Sequence, residues 1–147
     1  MQETQQRQWD TLRQDTAQRL AAAEEIVGPG KLVRAKDVVK LLEAVIRPGD
    51  KINLEGNNQK QADFLAERLC RVDPKKVHGL HMVQSSIALD SHTKLFEKGI
   101  AEKIDFSYSG AQAGKLAQAV QEGKVKLGDI HTYLELFGRY FIDLVPR

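Results

Sequence analysis

Polar and apolar positions change rhythm several times along the chain, and each change marks an element. Residues 2–25 carry Gln, Arg, Glu and Ala around a thin apolar line of Trp9, Leu12, Thr16, Leu20 and Ala23 at helical spacing. So narrow a stripe predicts a helical arm that lies on the body of the protein or on a partner. Gly28, Pro29 and Gly30 break it, since both residue types interrupt helices. The sequence therefore divides into an arm over 1–30 and a domain over 31–147. Within the second part, Val38, Val39, Leu41, Leu42 and Val45 give one apolar face to a helix over 35–46, which the Pro48–Asp50 turn stops.

Strand and helix periods then alternate. Ile52–Leu54 reads as a strand, 58–72 as a helix ended by Asp73 and Pro74, and Val77–Val83 as a second strand. A short helix over 92–100 follows an Asp90–Ser91 cap and closes near Gly99. Ile104–Tyr108 is a third strand. A helix over 110–122 turns Leu116, Ala117 and Val120 inward and stops at Gly123, and 127–131 is a short fourth strand. Thr132–Phe141 fits helix or strand equally. The end, 137–147, is strongly apolar and looks like a strand whose neighbours are missing, which fits a fragment of a longer chain. Strands separated by helices of this length predict an α/β fold with a mostly parallel sheet flanked by helices, preceded by the arm.

Such sheets bind ligands outside the carboxyl ends of their strands. Three polar turns fall there: Glu55–Gln59, Gln84–Ser86 and Ser107–Gly110. In the first, Gly56, Asn57, Asn58 and Gln59 stand between an apolar strand and a helix start. Free backbone N–H groups and side-chain amides at that point suit a neutral polar or anionic group. An ordinary strand-to-helix connection with an amide cap explains the same residues. Neither the second and third glycines of a dinucleotide fingerprint nor a P-loop Gly-Lys-Ser/Thr is present, so a nucleotide site is the weakest alternative.

Composition narrows the classes. The chain has 147 residues, enough for one domain with a real core, and its 41% hydrophobic and 29% charged residues are near the globular average. A net charge of +2 without a basic stripe gives no case for nucleic acid. No apolar run is long enough to span a membrane, and the lone Cys70 points to a reducing compartment, so a cytoplasmic location is expected. Cys70 lies in a helical run and reads as buried rather than reactive. His78, His81, His92 and His131 show no metal-ligand spacing, and each reads as a surface or satisfied core histidine; no metal is expected. Glu55 fits an acid, a base or an anion stabilised at a helix start, with the last favoured. Glu135 sits among apolar neighbours that would raise its pKa, or pairs with Arg139. The serines lack a nucleophile elbow.

Four segments in order, Leu54–Ala66, His78–Ser85, Ile104–Gly110 and Ile130–Phe141, resemble the start of the alpha subunit of bacterial malonate decarboxylase, from about Leu32 onward. The resemblance implies a fold similar to one Rossmann-like half of family I CoA-transferases. It also implies a transferase that exchanges the acetyl group of an acyl-carrier protein for malonyl and releases acetate. The expected partners are that carrier protein, the decarboxylase subunits, malonate and acetate. The expected cofactor is a CoA-like prosthetic group borne by the carrier, with none bound directly by this chain. The family's nucleophilic glutamate lies in the second half of the fold and matches no residue here, so the fragment alone should not turn over. The likeness leaves Gly56, Asn57, Asn58, Gln59, Gln84, Ser85, Ser109 and Gly110 as the expected thioester-binding residues, holding pantetheine amides or a malonate carboxylate through neutral donors. A non-catalytic assembly module, using the arm and the apolar end, is the alternative.

Overall fold

The computed structural model describes residues 2–54, 62–84, 86–106, 109–128 and 142–144. They fall into two compact units, residues 1–46 and 47–147. The Gly28–Gly30 break is a turn inside the first unit. There Gly28 N–H bonds the Leu32 carbonyl at 2.8 Å, and Gly30 and Lys31 both take positive φ. The turn lets α1 (Gln2–Glu24) pack back along α2 (Val38–Val45). Arg19 fastens the pair: it bonds Asp15 at 2.6 Å and donates Nη1 to the Val45 carbonyl at 2.8 Å, one of the last carbonyls of α2. A short 3-10 turn, Ala35–Asp37, leads into α2, so the α-helix starts with its first apolar residue, Val38, and not at residue 35.

The second unit is an α/β layer. Its strands are β1 (Lys51–Leu54), β2 (Leu80–Gln84), β3 (Ala101–Phe106), β4 (Lys126–Leu127) and β5 (Ile142–Leu144). They stand in the order β4-β3-β2-β1-β5, and every pairing is parallel. Helices α3 (Asp63–Leu69), α4 (Asp90–Glu97) and α5 (Ala113–Gln121) make the successive crossovers from β1 to β4. Right-handed crossovers in one direction put all three on one face of the sheet. That face carries Ile52, Leu54, Leu80, Met82 and Ile104, each at most 1% exposed. Against them lie Ala66 and Leu69 of α3, Leu95 of α4 and Leu116 of α5, all buried. None of the described helices is long and apolar enough to cross a membrane.

Several boundaries moved, for local reasons. The second strand starts at Leu80 rather than Val77 because Asp73 ties up the preceding backbone. Its carbonyl accepts from Lys76 and Val77 N–H at 2.9 Å each, and its carboxylate from Lys75 N–H at 2.9 Å. The third strand starts at Ala101, earlier than expected, since Glu102 and Lys103 hide its apolar rhythm. No side-chain cap opens α4, whose cap position is Leu89. Gly99 closes α4 at φ +71, as its place after the helix implies. Phe64 belongs to the solvent side of α3, 40% exposed, with the Arg68 guanidinium 4.8 Å from its ring centre. Cys70 is buried and its Sγ donates to the Ser91 carbonyl at 3.1 Å; burial pushes the thiol's pKa up. The terminal strand is not without neighbours: β5 pairs with β1, Ile52 opposite Ile142. The open choice over 132–141 lies outside the described residues.

The opposite face of the sheet is more polar, with Val83, paired to Asn53 and 1% exposed, its buried apolar member in β2. Alternation puts Lys51, Asn53, His81, Lys103 and Asp105 there, and Asp105 is only 2% exposed. Its Oδ1 lies 2.7 Å from His81 Nε2 and its Oδ2 3.0 Å from Lys51 Nζ. Burial alone would raise the Asp105 pKa; the hydrogen bonds from His81 and Lys51 outweigh it and hold the carboxyl below its ordinary value. An ionised carboxylate only accepts, so His81 Nε2 carries a proton. Burial pushes the His81 pKa down against the pull of Asp105, so the ring tends to stay neutral. Gly128 completes the packing. Its N–H bonds the Ile104 carbonyl at 2.7 Å, and a Cβ there would stand 1.8 Å from Asp105 Oδ1. Two partners pin that oxygen's carboxylate, so it cannot yield cheaply. Gly128→Ala is expected to lower the unfolding free energy by about 2–4 kcal/mol, by prising a buried ion pair apart. Urea unfolding measures this, and an unchanged midpoint would mean that Asp105 is free to move aside.

Candidate functional site

Because β1, β2 and β3 are parallel neighbours, their carboxyl ends share one edge of the sheet. The order also contains a switch point. From β1 the chain steps outward through β2, β3 and β4, and β5 lies on the other side of β1. Open α/β sheets bind ligands in the crevice at such a point. The chain leaving β1 at Leu54 emerges beside it. Gly56, Asn57, Asn58 and Gln59 are in that connection and lie outside the described residues, as does Ser85.

Gln84, Ser109 and Gly110 are described, and the backbone around Ile87 brings their two loops together. Ile87 N–H donates to the Ser109 carbonyl at 2.9 Å, and the Ile87 carbonyl accepts from Gln112 N–H at 2.8 Å. The loop after β2 is thereby clasped to the loop after β3. Gly110 makes the approach possible: it sits at φ +103, and a Cβ would stand 2.4 Å from the Ile87 carbonyl oxygen. Ser109 and Gly110 are exposed at this rim, whereas Gln84 is 1% exposed.

Gln84 has unusual company. Its Oε1 and Nε2, the Ser86 Oγ, and both ring nitrogens of His92 are buried without a hydrogen-bond partner among the described residues. Gln84 ends β2 on the helix-covered face, Ser86 is in the following loop, and His92 is in the first turn of α4. All three belong to one strand–loop–helix connection at the carboxyl edge. Burial pushes the His92 pKa down to about 4, and no charged neighbour among the described residues acts on it. Ser86 and His92 were not singled out as ligand contacts from sequence, because nothing in spacing tells a satisfied core histidine from an orphaned one. The polar cluster of Lys51, His81 and Asp105 was missed for a similar reason: its members come from three strands. A groove of about 440 Å³ between α4 and α5 is lined by Phe96, Leu116 and Val125, with Lys115 and Glu97 paired at 3.2 Å. It brings together no group able to do chemistry.

Two expectations follow from this geometry. Gly110→Ala forces a side chain into the Ile87 backbone at a φ that disfavours it, a cost of about 1–3 kcal/mol. The Ile87 and Gln112 amides should then exchange hydrogen faster; unchanged protection would show that the clasp survives. His92 gives a pH signature. Between about pH 6.5 and 4 the unfolded chain binds a proton that folded His92 refuses, so stability is full above that window and falls as pH drops through it. The loss reaches about 3 kcal/mol. His92→Leu should abolish this component when urea unfolding is compared from about pH 7 to about pH 4.

Comparison with known proteins accords with the resemblance of the sequence segments. A family model described as "Malonate decarboxylase, alpha subunit, transporter" matches residues 8–147. An acetyl-S-ACP:malonate ACP transferase from Malonomonas rubra is 58% identical over 139 residues, covering 95% of this chain and 25% of that protein. Among solved structures, a malonate decarboxylase alpha subunit from Acinetobacter baumannii superposes with a TM-score of 0.81 at 44% identity, covering 89% of this chain and 24% of the other. A chain of a Pseudomonas malonate decarboxylase hetero-tetramer, crystallised in complex with malonate, gives a TM-score of 0.81 at 47% identity, covering 90% and 24%. The chain thus spans about a quarter of the length of these relatives. Matched by the family model along nearly its whole length, the chain belongs to the malonate decarboxylase alpha-subunit family.

Proposed function

We propose that this chain is the N-terminal part of an acyl-carrier-protein transferase that converts acetyl-S-ACP and malonate into malonyl-S-ACP and acetate. The observation that carries the reading is 58% identity, over 95% of the chain, to a protein named for that reaction. A parallel sheet with a switch point beside β1 supports it, since that architecture offers a crevice for an extended arm at its carboxyl edge. The partners in this reading are the acyl-carrier protein and the decarboxylase subunits of a multi-subunit enzyme. The hetero-tetrameric relative supports such an assembly.

In the reaction, the carrier's thiol keeps its place while its acyl group changes. Acetyl leaves as acetate and malonyl takes the thiol. A CoA-like prosthetic group on the carrier would supply that thiol, and this chain would hold its arm. The proposed holders are Gly56, Asn57, Asn58, Gln59, Gln84, Ser85, Ser109 and Gly110. Gln84 fits the task on its own evidence, as a buried amide whose two polar atoms have no partner among the described residues. The nucleophile is assigned to a glutamate outside residues 1–147, in keeping with a CoA-transferase-like route through an acyl-glutamyl intermediate. Neither Glu55 nor Glu135 takes that part.

The test is the exchange reaction in the intact subunit assembled with its carrier. Asn57→Ala combined with Asn58→Ala should slow acetyl-to-malonate exchange by about tenfold or more, as expected for losing hydrogen-bond donors to the arm. Wild-type exchange rates in the double variant would remove that turn from the site. Absence of exchange in the wild-type assembly would refute the reading as a whole.

A further inference from the structure

We draw no further inference here: the strongest candidate, the apolar groove between α4 and α5 lined by Phe96, Leu116 and Val125, carries none, because its rim lysines Lys115 and Lys124 are already paired with Glu97 and Glu122 and nothing in the structure shows what covers it.

Discussion

Parallel pairing of β2 with β1 on one side and β3 on the other is the constraint from which the candidate site follows. Lys51 opposite His81 and Met82 opposite Ile104 fix the register. A one-residue slip would turn Ile52, Met82 and Ile104 out of the core and push Asp105 into the helix layer. With the register held, all carboxyl ends meet at one edge. The Ile87 clasp then sets the spacing of two loops there without using any side chain, which is why a glycine is needed at residue 110.

The two faces of this sheet meet burial in opposite ways. On one, apolar side chains sit under three helices and need no partners. On the other, Asp105 is buried as a charge, and His81 and Lys51 offset its desolvation. Such a cluster adds little net stability when complete and costs much when a member is removed, so it acts more as a lock on register than as a source of stability. Gly128 keeps room for the lock. Gln84 departs from the first pattern: it continues the apolar face of Leu80 and Met82 but ends it with an amide. His92 departs in the same way on α4. Neither side chain has a hydrogen-bond partner among the described residues.

Likeness to malonate decarboxylase alpha subunits and the physics of the fold agree on where to look, though they contribute different things. Kinship supplies the proposed reaction class. The sheet supplies the edge and the switch point.

Much was written locally in the chain. Apolar spacing at Val38–Val45, the strand cores at Ile52–Leu54 and Ile104, and the stops at Gly99 and Gly123 depend on near neighbours only, so the α/β alternation and its parallel sheet could be read directly. Boundaries failed where a side chain or a distant strand intervened: Asp73 delays β2, and pairing with β2 starts β3 at Ala101, ahead of the charged Glu102 and Lys103. The partner of β5, the meeting of Lys51, His81 and Asp105 from three strands, the need for glycine at 110 and 128, and the lack of partners for Gln84, Ser86 and His92 among the described residues belong to tertiary structure alone. Each depends on which atoms lie across a gap between segments far apart in sequence. Periodicity records which face a residue takes, and only packing decides what waits on that face.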